Sequence, residues 1–290
     1  MEIHHILCPS DFSEASAHAA DQAIVLADAY KAKIIALHAV SPLTSAVEAP
    51  AMDECRDRLR ACFDRATKAG IAVDVEIALG LPVHRILDRA SSLAAAVIVM
   101  GTHGTSGFER FVLGSVTERV LRKATCPVLT VPPRAQATSR LPFKHVLCAV
   151  DFSEASIGAV NWAISLAQAS GASVTLLHVL EWPWHEPPPP DVSQLPKEQA
   201  DALLAFRRYT EESATNRLES LLPQDIRTVQ IVAQLRNGKA WSEILDVARD
   251  EHSDLLIMGV RGRNPVDVTL FGSTTNQVVR RASCPVLTVH

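Results

Sequence analysis

The sequence predicts a chain of two tandem, doubly wound α/β domains, each built on a parallel sheet flanked by helices. Three observations carry this. The chain has 290 residues, enough for two domains at roughly 150 residues each. Segments of the first half recur in the second. Within each half, short apolar runs alternate with amphipathic helical patterns, the mark of strand–helix–strand units around a parallel sheet.

The repeat sets the domain organisation. His5–Ser16 reads HILCPSDFSEAS and His145–Ser156 reads HVLCAVDFSEAS, identical at nine of twelve positions at an offset of 140. Gly114–Val131 (GSVTERVLRKATCPVLTV) recurs as Gly272–Val289 (GSTTNQVVRRASCPVLTV) at an offset of 158, so the second copy holds 18 extra residues. These are expected in Glu181–Pro196 (EWPWHEPPPPDVSQLP), where consecutive prolines bar a helix or central strand and predict an extended surface insertion. Pro132–Pro142 has linker composition. The domains are therefore expected at 1–135 and 142–290.

In the first copy the strands are His5–Cys8, Lys33–Val40, Ala72–Leu79, Ala96–Met100 and Val128–Val131. They are continuous apolar runs, as strands buried on both faces require. Helices are expected at Glu14–Tyr30, Asp53–Ala69, Pro82–Leu93 and Ser115–Lys123. Ser13 and Pro82 are start signals and Gly70 is a stop signal. The second copy repeats the order with strands at Val146–Val150, Ser173–Leu180, Arg227–Gln234, Leu255–Gly259 and Val286–Val289. In such sheets ligands bind at the carboxyl ends of the strands, where strand order reverses.

Composition narrows the function class. With 48% hydrophobic and 21% charged residues the chain is ordinary globular protein. A net charge of -4 gives no electrostatic footprint for nucleic acid or an anionic membrane. The longest apolar stretch, Leu93–Met100, is far below the roughly 20 residues of a membrane span. MEIHHILCPSDF has no cationic-then-apolar leader. The expectation is a cytoplasmic protein with no membrane or nucleic-acid partner. The six cysteines form no C-x-x-C pair and no zinc spacing, and reduced, mostly buried thiols are expected.

The most informative residues follow the fourth strand of each copy. MGTHGTSGFERFVLGS places Gly101, Gly104 and Gly114-Ser115 at the spacing that MGVRGRNPVDVTLFGS repeats with Gly259, Gly262 and Gly272-Ser273. A strand end turning through glycines into a helix N-terminus offers backbone N–H groups and a positive dipole end to an anion. Ser115 and Ser273 either cap their helices or donate to phosphate oxygens. Asp11 and Asp151 follow the first strand of each copy. Each either holds a phosphate-bound Mg²⁺ or a ribose hydroxyl, or caps the next helix. No Walker loop occurs, and no G-x-G-x-x-G follows a first strand. Gly238-Lys239 reads as a helix start.

This pattern, with the strand-end Asp and the terminal CPVLTV strand, resembles the universal stress protein family in its tandem form, across nearly the whole chain. The resemblance implies a five-stranded parallel sheet per domain and binding of ATP, and the Mg²⁺ such a nucleotide carries is the ion that Asp11 and Asp151 are candidates to hold. It places Asp11 and Val40 near adenosine, and Gly101, Gly104, Gly114 and Ser115 on the phosphates with Val116 and Thr117 nearby. In the second copy it places Asp151, Val179, Gly259, Gly262, Gly272, Ser273 and Thr274. The second loop carries Asn264-Pro265 where the first has Ser106-Gly107. That loses one N–H, while Arg261 and Arg263 offer phosphate partners. The family's last strands pair between subunits, so the two copies are expected to form an intramolecular pseudo-dimer. A further homodimer is compatible with it.

His38 and His178, like His5 and His145, sit at repeat-locked strand positions, which favours structural roles over metal ligation. Trp182 and Trp184 are expected to pack on their own domain. No catalytic set stands out, and no G-x-S-x-G elbow occurs. The expectation is a regulatory binding module with at most slow ATP hydrolysis. The alternative is a nucleotide-independent adaptor, or apolar-ligand binder, acting through the Pro/Trp-rich insertion.

Overall fold

The computed structural model of the chain describes residues 3–41, 49–94, 97–102, 113–133, 143–181, 192–222, 228–262 and 272–290. Most of the proline-rich insertion, the linker at 134–142 and both glycine-loop interiors lie outside these residues. The first half runs β1 (His5–Pro9), α1 (Glu14–Tyr30), β2 (Lys33–Val40), α2 (Ala49–Cys62), α3 (Asp64–Lys68), β3 (Val73–Leu79), α4 (Pro82–Ser92), β4 (Val97–Gly101), α5 (Ser115–Lys123) and β5 (Val128–Val131). The second runs β6 (His145–Ala149), α6 (Glu154–Ser170), β7 (Ser173–Leu180), α7 (Lys197–Glu219), β8 (Ile231–Asn237), α8 (Ala240–Asp250), β9 (Leu255–Gly259), α9 (Ser273–Arg281) and β10 (Val286–Val289).

The expected five parallel strands form in each half, and the halves fuse into one ten-stranded sheet, β3-β2-β1-β4-β5-β10-β9-β6-β7-β8. The pseudo-dimer is therefore a continuous sheet. Its seam is the single antiparallel pairing, β5 with β10, in which Val286 faces Thr130, Leu287 faces Leu129 and Thr288 faces Val128. Because Leu129 and Leu287 are equivalent residues, a pseudo-two-fold axis passes between them. The Thr130 and Thr288 hydroxyls reinforce it, donating reciprocally to the Val286 and Val128 carbonyls, each at 3.1 Å. Short apolar strands with open backbone edges satisfy one another here and leave no unpaired edge at the centre. On one sheet face Ile3, Phe143, Trp162, Leu129 and Leu287 belong to a single apolar cluster spanning both halves.

Local signals explain most boundaries. Ser13 and Ser153 cap α1 and α6, each accepting from the backbone N–H three residues on. Pro82 opens α4. The helix expected over Asp53–Ala69 is instead two, because Phe63 turns into the core and breaks it. The strand expected at Arg227–Gln234 runs from Ile231 to Asn237, so its later residues are polar. An outermost strand tolerates this, since it pairs on one side only.

The lengthened connection of the second half enters between β7 and β8, and part of it is helical. α7 has 23 residues, and only Ala214 and Leu218 are buried, so its first turns stand clear of the core. They leave Phe206 and Tyr209 exposed.

One difference between copies is a local test of backbone strain. α1 ends at Lys31 with φ 53°, whereas the equivalent residue ending α6 is Gly171 with φ 72°. The left-handed conformation penalises a side chain that glycine lacks. Lys31→Gly is expected to raise stability by about 0.5 kcal/mol, measured by thermal unfolding, despite losing an exposed ion pair to Asp28.

Candidate functional site

In each half the strand order reverses at the first strand: β1 lies between β2 and β4, and β6 between β7 and β9. The crevice at the carboxyl ends of these strands is where doubly wound sheets take ligands. The predicted residues of the described chain gather there, at the ends of β1, β2 and β4 and the starts of α1 and α5.

Asp11 leaves β1 and folds back on its own turn. Its Oδ1 accepts from the Ser13 N–H at 3.1 Å and the Ser13 hydroxyl at 2.6 Å. Asp151 repeats this with Ser153, at 3.0 Å and 2.6 Å. Each acid thus orients the serine that caps the helix and does not itself act as the cap. One carboxylate oxygen builds the turn, while the side chain stays at the strand edge. In the second half Asp151 Oδ2 lies against Gly262, where a Cβ would stand 2.8 Å from it. The Asp151 carboxylate and the described start of the second glycine loop therefore meet.

The residue after each acid is one the sequence reading passed over. Phe12 and Phe152 adopt φ of 63° and 64°, a conformation that costs a bulky residue free energy. The surroundings hold it there. The ring of Phe12 lies 4.4 Å from that of His38, with the Arg58 guanidinium 4.3 Å from its centroid on α2. Phe152 sits likewise with His178 at 4.5 Å and Arg217 of α7 at 4.1 Å. His38 Nδ1 bonds the Ser10 carbonyl at 2.7 Å and His178 Nδ1 the Val150 carbonyl at 2.6 Å. A carbonyl only accepts, so Nδ1 carries the proton. Through these bonds His38 and His178 support the acid-bearing turn. Ser10, a departure from the apolar residue of the second copy, has a use: its Oγ accepts the N–H of the strained Phe12 at 3.2 Å. The signal was visible in the shared DFSEAS, but the contacts arrive from distant elements.

The glycines divide into two kinds. A Cβ on Gly101 would stand 2.8 Å from the backbone carbon and the Cβ of Ala15, and one on Gly259 would stand 3.0 Å from Ala155 Cβ. Both let the first turn of α1 or α6 pack against a strand end. Their carbonyls accept from Thr117 Oγ1 at 2.9 Å and Thr275 Oγ1 at 3.0 Å. Thr117 is buried and so engaged, and its partner by repeat is Thr275 beside Thr274. Gly114 and Gly272 are instead the residues before α5 and α9, anchored by N–H bonds to the carbonyls of Thr102 and Val260. Ser115 and Ser273 follow as exposed first helical residues, with Val116 and Thr274 partly exposed beside them. Helix geometry leaves the first-turn amides without intrahelical acceptors. Gly104 and Arg263 lie outside the described residues.

Strand pairing refines one assignment. Val40 stands opposite Leu79, and Leu180 stands opposite Asn237. The Gly80 N–H bonds the Val40 carbonyl, as the Gly238 N–H bonds that of Leu180. The position equivalent to Val40 is thus Leu180, with Val179 one residue earlier.

Among the described residues no group of three His, Cys, Asp or Glu converges as a metal site. The described residues of each crevice offer one aspartate, which fits Mg²⁺ borne by phosphates better than a protein-held ion. A separate groove of about 310 Å³ opens beside Trp241, Arg281 and Cys284, before the amino end of β10, and does not belong to the crevice. Burial pushes the thiols of Cys126 up to about 11 and Cys284 to about 12, far from thiolate chemistry at neutral pH. No helix among the described residues is long and apolar enough to cross a membrane.

Comparison with known proteins agrees with this arrangement. The model of the universal stress protein family matches residues 2–132 and again 142–290. A universal stress protein of Mycolicibacterium smegmatis is 28% identical over 307 residues, covering 98% of this chain and 96% of that protein. A universal stress protein of Methanocaldococcus jannaschii is 35% identical over 137 residues, covering 43% of this chain and 80% of that protein. The crystal structure of a universal stress protein from Archaeoglobus fulgidus shares the fold, with a TM-score of 0.71 at 22% identity over 100% of this chain and 99% of its own. With a strand-end acid, a close-packed glycine and an exposed helix-start serine built twice on one sheet, the chain belongs to the universal stress protein family, one family domain in each half.

Proposed function

We propose that the chain is a regulatory adenine-nucleotide-binding protein that takes ATP with Mg²⁺ at its strand-end crevices, acting by binding and with at most slow hydrolysis. One observation carries the reading. In both halves the exposed Ser115 or Ser273 and the first-turn amides of α5 or α9 open beside the acid-bearing turn, at the reversal of strand order. That combination suits a ligand with an anionic end and a hydroxyl-bearing sugar. Gly114-Ser115 and Gly272-Ser273 would meet the phosphates, and Asp11 and Asp151 the ribose or the metal. The ends of β2 and β7 would border the base. Mg²⁺ would supply neutralisation of adjacent phosphate oxygens. Hydrolysis further needs an oriented water and compensation at the γ-phosphate, and the described residues present no dedicated base for it.

The test is direct. Denatured purified protein is expected to release adenine nucleotide, and added Mg-ATP to raise the unfolding temperature. Gly114→Ala with Ser115→Ala, and Gly272→Ala with Ser273→Ala, are each expected to weaken ATP binding about tenfold in their own half. Deleting Trp182–Pro190 is expected to leave it unchanged. Nucleotide-free protein with no ATP-dependent thermal shift overturns the reading.

A further inference from the structure

The seam brings the end of one half against the beginning of the other. Since β5 and β10 are antiparallel, the last turn of α9 reaches the first turn of α5. Arg280 Nη2 lies 3.5 Å from Glu118 Oε2. Glu118 is three residues past Ser115, one turn along the helix and on the same side. The Arg280 Nε is buried with no hydrogen-bond partner, so the guanidinium is placed there without being saturated. The pair is the one ion pair that the described residues form between α5 and α9. It is also asymmetric: Asn276 stands in α9 where Glu118 stands in α5, while Arg122 is the counterpart of Arg280.

A carboxylate in the first turn favours the helix dipole but repels an incoming triphosphate. Residues three apart on one helix face have Cβ atoms about 5–6 Å apart, so its charge falls within a Debye length of a group bound at Ser115. Arg280, supplied by the other half, cancels it. We propose that Arg280 is a positioning residue of the first-half site, acting through Glu118. It sets the electrostatic affinity of that site for the phosphate end of a nucleotide, and the second-half site, lacking the acid, does not need it. The inference rests on the nucleotide reading above and adds to it an electrostatic dependence of the first site on the second domain.

Photolabelling of the full chain with 8-azido-ATP, followed by peptide mapping, reads the two halves separately. Arg280→Gln is expected to lower first-half labelling roughly fivefold at low salt and leave the second half unchanged. Glu118→Gln is expected to raise it by roughly twofold. The double variant should return close to the parent, and Arg280→Lys should restore most of the loss. 8-Azidoadenosine, which has no phosphates, should label all variants alike, a result that mere loosening of the helix would not produce. First-half labelling that ignores both single substitutions, or falls equally for the nucleoside, overturns the inference alone. No labelling of either half overturns the nucleotide reading and the inference with it.

Discussion

Replacing Gly101 by alanine is expected to cost the fold about 3 kcal/mol. The added methyl would stand 2.8 Å from the backbone of Ala15, a contact that no side-chain rotation relieves. Either α1 lifts from β4 or the strand end shifts, and the Asp11 turn moves with it. Urea unfolding should show a lowered midpoint in ligand-free protein. Gly158→Ala is the internal control. Its methyl would meet Val289 Cγ1 at an ordinary 3.4 Å inside α6, and helix propensity predicts a gain of about 0.5 kcal/mol. An unchanged midpoint for Gly101→Ala, with ATP retention lost, would show that this glycine serves the ligand and not the packing.

The second large effect is expected at the seam. Leu129 and Leu287 are each 2% exposed and face one another across β5 and β10. Leu129→Asp puts an unpaired carboxylate between two apolar layers and is expected to cost about 4 kcal/mol. Leu129→Ala leaves a cavity and is expected to cost about 3 kcal/mol. Losing the pairing also bares two strand edges that seek other chains. Size-exclusion chromatography of Leu129→Asp should therefore show self-association that Leu129→Ala lacks. A monomeric, single-transition Leu129→Asp protein would mean that the helices, rather than the strands, hold the halves together.

Much of this was legible because strands buried on both faces leave an unambiguous apolar trace, written twice. Lys33–Val40, Ser173–Leu180, Glu14–Tyr30 and Ser115–Lys123 fall where the pattern puts them. Errors arose where tertiary packing overrides local pattern. Phe63 breaks its helix because the core takes the ring, and β8 tolerates polar residues as an outermost strand. In the crevice, residue types were readable but their division of labour was not. A motif glycine looks the same whether its missing Cβ makes room for Ala15 or for a ligand. The stack of Arg58, Phe12 and His38 joins residues far apart in the chain, and only the Phe is inside the repeated motif. The equivalence of Val40 with Leu180 follows from the offset of 140 that holds up to the insertion, and strand pairing agrees with it.

The antiparallel seam has a last consequence. It turns the two crevices toward opposite ends of the sheet. A homodimer with this geometry would have two identical faces, so any change that tuned one would alter the other. Here one polypeptide supplies both, and covalent linkage releases each face from its twin. Glu118 against Asn276, Ser10 against Val150 and Lys31 against Gly171 are departures that a symmetric assembly would have to carry twice or not at all. The molecule is thereby a two-sided object whose two ends are free to differ.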